Sequence, residues 1–151
     1  MTTGWYYAKD GDIVRDQFMT IGNNKYYFLS DGKMARNDVS YAKTDDYNWK
    51  PYGFDENGHL IKGWYLAQQQ SFGNHFINNT WYYFSASGAM QSGWLNLGNT
   101  WYYLRGDGSM ATGWLNLGNT WYYLRADGSM ASNTWIGNSY VDGSGAWTSS
   151  R

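Results

Sequence analysis

The sequence predicts an all-β protein made of repeated β-hairpins. Two copies of a twenty-residue unit, at 93–112 and 113–132, agree at eighteen positions without a gap. In each copy, two short runs of aromatic and aliphatic residues flank a Gly-Asn pair, which is typical of a tight hairpin turn. Twenty residues leave no room for a helix. Because an isolated hairpin is marginally stable in water, we expect the units to stack as a solenoid.

The composition indicates a folded chain with an unusual core. Leu, Ile, Val and Phe together number 23 of the 151 residues, which is low for a globular protein. The net charge is only −1, however, and Trp, Tyr and Phe make up 21% of the residues. Because an aromatic side chain buries about 150–250 Å², we expect the buried surface to be largely aromatic.

Several functional classes are excluded by the same composition. There are no cysteines, which rules out disulfides and thiolate metal sites, and no apolar run is long enough to span a membrane. Between residues 63 and 150 the only basic residues are Arg105 and Arg125, too few for a nucleic-acid groove. Neither His59 nor His75 belongs to a metal or nucleophile motif. We therefore predict no catalytic residue, no metal site and no cofactor.

Weaker copies of the unit flank the two good ones. We predict a single repeat module spanning residues 1–151, with about six or seven hairpins or half-hairpins. Residues 63–151 match the unit well and end in a shortened copy at 135–147. Residues 1–62 hold degenerate copies, which we expect to be structural or to form a partner surface.

Two degenerate copies show how residues 1–62 depart from the pattern. Phe18 and Lys25 replace the two tryptophans of a unit, and a lysine in an aromatic wall should repel a cation. Pro51 stands where the second tryptophan belongs, and Gly53 where the second tyrosine belongs.

Strand alternation predicts a face rich in tryptophan. With Gly98-Asn99 as the turn, Trp94 opposes Tyr103 and Trp101 opposes Asn96, so these four side chains share one face of the hairpin. When hairpins stack, the tryptophan pair of one can meet a tyrosine of the next to form a cup. Such a cup can bind a quaternary ammonium by cation–π attraction, stack on a carbohydrate, or simply be core.

The unit resembles the choline-binding repeat of Gram-positive, pneumococcal-type cell-wall proteins and their phage lysins. The resemblance rests on a GW pair, a WYY triplet, a DG turn and a Met at a period of about twenty residues. It implies β-hairpins wound into a left-handed superhelix. It also implies choline held between successive hairpins by two tryptophans of one hairpin and a tyrosine of the next, with a methionine nearby.

The resemblance carries over to three choline sites. The best formed comprises Trp94, Trp101, Tyr123 and Met130. In the other two, an insertion at 66–79 separates the first tryptophan pair, and a tryptophan stands where methionine is expected. Their residues are Trp64, Trp81, Tyr103 and Met110, and Trp114, Trp121, Tyr140 and Trp147.

The function that the resemblance implies is non-catalytic anchoring of a parent protein to the bacterial surface. The ligand would be the choline or phosphocholine of teichoic and lipoteichoic acids, and the resemblance allows choline-linked homodimers. Two alternatives stay open: a module that binds α-glucan, and a scaffold that presents a surface to a host protein, for example at residues 66–79. The N-terminus does not resemble a signal peptide, so we expect a fragment of an extracellular protein or a phage product.

Overall fold

The computed structural model describes residues 4–44, 48–67, 76 and 79–151, and the residues it describes form strands and turns without a helix. It therefore contains no helix that could cross a membrane. Contacts divide the chain into two compact units, Met1–Met90 and Gln91–Arg151. Unit 1 and unit 2 are the names used below.

The strands of unit 1 form four antiparallel hairpins. The pairs are β1 with β2, β3 with β4, β5 with β6 and β7 with β8. Their bounds are β1 Ala8–Lys9, β2 Asp12–Ile13, β3 Gln17–Ile21, β4 Asn24–Phe28, β5 Asp38–Lys43, β6 Trp49–Phe54, β7 Gly63–Ala67 and β8 Thr80–Phe84.

Unit 2 holds two hairpins, β9 with β10 and β11 with β12, and one three-stranded sheet, β13-β14-β15. Their bounds are β9 Gly93–Leu97, β10 Thr100–Leu104, β11 Gly113–Leu117, β12 Thr120–Leu124, β13 Thr134–Ile136, β14 Ser139–Val141 and β15 Trp147–Ser150. The prediction of an all-β chain of successive hairpins is therefore confirmed.

The predicted register of the best unit is also confirmed. Trp94 pairs with Tyr103, and Trp101 pairs with Asn96. The turn residues Gly98 and Asn99 both have positive φ, 55° and 69°, as a tight two-residue hairpin turn requires. The second copy repeats this register with Trp114 opposite Tyr123.

A tight turn follows each good hairpin and returns the chain to it. In the first copy, the Arg105 N–H donates to the Ser109 carbonyl, and the Gly108 N–H donates to the Arg105 carbonyl, both at 2.8 Å. The Asp107 carboxylate accepts bonds from the Ser109 N–H and hydroxyl. Met110 then forms a β-bridge with Leu104. The sequence DGSM therefore forms the turn and places Met110 at the end of the hairpin that lies away from the Gly98-Asn99 turn.

Each methionine of this kind packs over a glycine of the following turn. A Cβ added to Gly128 would collide with the Met110 side chain, and one added to Gly145 would collide with Met130. Both glycines have strongly positive φ, 88° for Gly128 and 87° for Gly145, where side chains are strained. Glycine is thus needed at this turn both for its backbone and for the methionine above it.

The cores of the two units differ in kind. The fully buried large side chains of unit 1 are aromatic: Tyr27, Phe54, Phe76, Tyr82 and Phe84. Those of unit 2 are aliphatic: Leu104, Leu124 and Val141. The expectation of a largely aromatic core is confirmed for unit 1 and is wrong for unit 2, because the tryptophans of unit 2 lie at the surface.

Candidate functional site

The paired tryptophans of unit 2 form the corner of an open cavity. Trp94 and Trp101 lie across β9 and β10 with ring centroids 6.1 Å apart and planes at 89°. They are 37% and 40% exposed. A tryptophan placed for core packing would bury its rings, whereas these two present a perpendicular pair of faces to solvent.

A tyrosine of the next hairpin supplies the third wall. The Tyr122 ring lies 5.0 Å from that of Trp94, at 74°. The sequence predicted Tyr123 in this position, whereas in the structure Tyr123 packs against Trp114 of its own hairpin, at 5.1 Å. Strand neighbours point to opposite faces, and the face that meets the preceding hairpin is the one that carries Tyr122.

Met130 completes this cavity as the sequence suggested. Its backbone N–H donates to the Trp101 carbonyl at 2.8 Å, which ties the turn after β12 to strand β10. Ser144 also contributes to the wall, and its hydroxyl donates to the Asp142 carboxylate at 2.6 Å. The Trp94 cavity, as we call it, encloses about 380 Å³ and is lined by Trp94, Trp101, Tyr122, Met130 and Ser144.

A second cavity of unit 2 repeats the first one unit later. The Trp114 cavity encloses about 360 Å³ and is lined by Trp114, Trp121, Ser139 and Trp147. Trp147 lies where the good unit has methionine. The predicted Tyr140 instead packs against Trp135 of its own hairpin, at 5.1 Å, and Ser139 takes the place that Tyr122 has in the Trp94 cavity. The lining residue is again one position before the predicted one.

The third predicted site draws on both units. Within unit 1, Trp64 and Trp81 form a perpendicular pair with ring centroids 6.2 Å apart, despite the long insertion between them. Within unit 2, Tyr103 packs against Trp94 at 5.1 Å, and Met110 lies over Gly128. The combination of the four residues into one site stays a prediction. Most of the insertion at 66–79, proposed as a partner surface, lies outside the described residues.

The degenerate hairpin β3–β4 carries its own cation. Phe18 and Lys25 occupy the register positions of Trp94 and Trp101, because Phe18 pairs with Tyr27 and Lys25 with Thr20. The Lys25 ammonium lies 4.5 Å from the centroid of the Phe18 ring. Tyr52 packs on the same ring at 5.3 Å, as Tyr122 does on Trp94. A tethered ammonium thus lies on the aromatic face.

Pro51 and Gly53, which replace a tryptophan and a tyrosine of the repeat, lie in a hairpin that keeps the backbone bonding of the good units. The Met90 N–H donates to the Pro51 carbonyl at 2.8 Å, as Met130 does to Trp101. A Cβ at Gly53 would collide with the buried Phe84 ring, so the tyrosine of the good units cannot fit there.

The described residues hold no cluster of three or more potential metal ligands. The shifted carboxylates are structural. The hydroxyls of Ser109, Ser129 and Ser144 donate to turn aspartates and, as the largest cause, lower the pKa of Asp107, Asp127 and Asp142 below the ordinary value of 3.8. These acids therefore stay ionised to fix the turns, outside the linings of both unit 2 cavities.

Successive β-hairpins with aromatic cavities between them define a repeat protein whose cavities are lined by residues of neighbouring repeats. The chain belongs to the choline-binding repeat family. The family model described as a choline-binding repeat matches residues 73–107 and 92–135. A second model, for a cell wall binding repeat, matches residues 16–34.

Solved structures agree with this assignment. The crystal structure of choline binding protein F from Streptococcus pneumoniae is 35% identical, with a TM-score of 0.77 over 97% of this chain and 44% of that one. The same protein in the presence of a peptidoglycan analogue gives a TM-score of 0.76, at 35% identity over 97% and 44%. CbpJ from the same organism is 31% identical, with a TM-score of 0.74 over 97% and 48%. The chain thus spans less than half of these proteins. No curated protein sequence matches it significantly.

Proposed function

We propose that the chain is a non-catalytic module that holds choline in the Trp94 and Trp114 cavities and so attaches a parent protein to choline-bearing wall polymers. The observation that carries this proposal is the repetition of one open aromatic corner in two successive repeats. Family membership supports choline as the ligand, and the two cavities supply a means of binding it.

The lining of the Trp94 cavity suits a quaternary ammonium. Its five described lining residues are all uncharged, and three of them are aromatic. The electron-rich faces of Trp94, Trp101 and Tyr122 attract a cation, with about 0.5–2 kcal/mol from each ring. Choline presents methyl groups rather than N–H donors, so it needs no carboxylate partner. A primary ammonium, whose three N–H groups need acceptors, gains less in this cavity.

Repetition compensates for weak single sites. A small open cavity of this kind should bind choline at about millimolar concentration, equivalent to about −4 kcal/mol. Teichoic and lipoteichoic acids carry choline along a polymer, so a second cavity on the same chain binds at a high effective concentration. We infer that attachment to the bacterial surface comes from this avidity.

A choline titration followed through a methionine methyl group tests the proposal at one cavity. The chain has six methionines, and its ¹³C-methyl spectrum can report Met130 separately once M130L assigns the signal. We expect a saturable shift of the Met130 methyl with choline, and none with sodium chloride at matched ionic strength. A shift with dextran instead of choline would support the glucan alternative and overturn the proposal.

Two neighbouring tyrosines provide a matched pair of variants. Tyr122→Leu removes a wall of the Trp94 cavity and should weaken choline binding there about tenfold. Tyr123→Leu removes a ring that packs on Trp114 and should leave the Met130 response nearly unchanged. A larger loss of choline binding for Tyr123→Leu than for Tyr122→Leu would show that Tyr123, not Tyr122, forms the third wall.

A further inference from the structure

Unit 1 contains a cavity that the three predicted choline sites do not use. It encloses about 410 Å³ beside the first hairpins, and half of its ten lining residues are aromatic. Its lining includes Trp5, Tyr26, Met34, Arg36 and Glu56. We call it the Trp5 cavity.

The backbone makes this cavity the counterpart of the Trp94 cavity. The Met34 N–H donates to the Trp5 carbonyl at 2.7 Å, as Met130 does to Trp101 at 2.8 Å. Met34 packs over Gly58 as Met130 packs over Gly145. One tryptophan and the methionine of the cage are therefore present.

Tyr26 holds the place that Tyr122 has in unit 2. Both are the first tyrosine of a Tyr-Tyr pair on the second strand of the hairpin that follows the tryptophan. The Tyr26 hydroxyl is bonded to the His59 ring at 3.1 Å, which fixes the orientation of the tyrosine. His59 itself lies 4.0 Å from the Asp55 carboxylate.

Charge distinguishes the Trp5 cavity from the two in unit 2. Its lining includes a guanidinium, Arg36, and a carboxylate, Glu56, whereas the described linings of the Trp94 and Trp114 cavities are uncharged. Among the described residues, no ion pair joins Arg36 to Glu56. Two opposite charges thus line one aromatic cavity, and both can interact with a ligand.

We propose that the Trp5 cavity binds a small zwitterion that carries a primary ammonium at one end and an anionic group at the other. The ammonium lies against the faces of Trp5 and Tyr26 and donates N–H bonds to the Glu56 carboxylate. The anionic end pairs with the Arg36 guanidinium, which suits a carboxylate or a phosphate. The site takes a ligand chemistry different from choline, because choline has neither an N–H to donate to Glu56 nor an anionic group to pair with Arg36.

The Met34 methyl group reports on this cavity independently of choline binding in unit 2. We would titrate the full chain with 4-aminobutyrate, phosphoethanolamine, butylamine, inorganic phosphate and choline, and follow the Met34 and Met130 signals in one spectrum. We expect a saturable Met34 shift with 4-aminobutyrate or phosphoethanolamine, and the tighter of the two identifies the preferred anion. Butylamine, phosphate and choline should bind at least about fivefold more weakly, since each lacks one charge-assisted contact.

Conservative variants at the two charges complete the test. Glu56→Gln and Arg36→Gln should each weaken zwitterion binding about fivefold or more. Asp12→Asn and Arg15→Gln make the same charge changes at exposed residues outside the cavity lining and should have little effect. Equal binding of butylamine and 4-aminobutyrate, or no Met34 shift with either zwitterion, would overturn the inference. The absence of a Met130 shift on titration with choline would instead overturn the proposed function.

Discussion

Unit 1 buries aromatic rings in its core, whereas the core of unit 2 is aliphatic and its tryptophans lie at the surface. In unit 1 the largest buried side chains are rings, for example Phe54 and Phe84, neither of which is exposed to solvent. In unit 2 the buried positions hold Leu104 and Leu124, and the tryptophans stand about two-fifths exposed around cavities. The comparison shows that one repeat pattern can place its rings either in a core or at the surface, depending on which positions carry them.

The largest effect should separate a core ring from a cavity ring. Phe54→Ala empties a fully buried site in unit 1 and should lower the free energy of unfolding by about 3–5 kcal/mol. Trp121→Ala removes a ring that is 42% exposed in unit 2 and should cost about 2 kcal/mol. Urea denaturation measures both values. Equal losses would mean that the tryptophans of unit 2 are core after all.

The next effect concerns the glycine beneath a methionine. Gly128→Ala forces a Cβ into the Met110 side chain at a φ of 88°, and should cost about 3 kcal/mol from backbone strain and overpacking together. Gly118→Ala is the matched control, with a φ of 67° and open space around its Cβ, and should cost about 1 kcal/mol. Thermal unfolding compares the two variants. Equal costs would show that the methionine contact adds nothing.

A smaller effect should come from the tethered ammonium of unit 1. Lys25→Met removes the cation from the Phe18 ring and should lower stability by about 0.5–1 kcal/mol. Lys9→Met loses the same charge at an exposed position and provides the control. If both variants have the same stability in urea, the contact between Lys25 and Phe18 is not stabilising.

The smallest effect concerns the pH dependence of unit 2. Because the folded state lowers the pKa of Asp107 and Asp127, their contribution is complete above the ordinary value of 3.8 and is lost as the pH falls through the lowered folded values. The double variant S109A/S129A removes the largest cause of both shifts. We expect the thermal unfolding midpoint of this variant to fall less steeply with decreasing pH than that of the parent chain below about pH 4. The difference should be small because the carboxylates are solvated. Parallel curves would contradict this origin.

The repeat made the register of each hairpin predictable, but it did not show which face of a hairpin contacts the preceding hairpin. Near-identity of two units and a Gly-Asn turn were enough to place Trp94 opposite Tyr103, because register follows from turn length. Which face of a hairpin meets the preceding one depends on how the turns stack, and a single hairpin carries no signal for that. The correct assignment of Tyr122 and Ser139 needed the structure for this reason.

The charged cavity of unit 1 escaped prediction for a related reason. Trp5, Tyr26 and Met34 belong to copies that had lost one or both tryptophans, and the sequence pattern marked them as degenerate. Glu56 is thirty residues beyond Tyr26, and a period-based search has no reason to join them. Backbone hydrogen bonds, which do not depend on the side chains that changed, reveal the correspondence.

The contact between methionine and glycine has a consequence for the gene. Met110 lies over Gly128, and Met130 lies over Gly145. The repeat at 113–132 therefore contacts the preceding repeat through its glycine and the following repeat through its methionine, and the two contacts are of the same kind. A further copy inserted in frame there would meet a matching neighbour on each side. Duplication of this twenty-residue segment can therefore add a copy, and with it a cavity, without any new surface having to evolve.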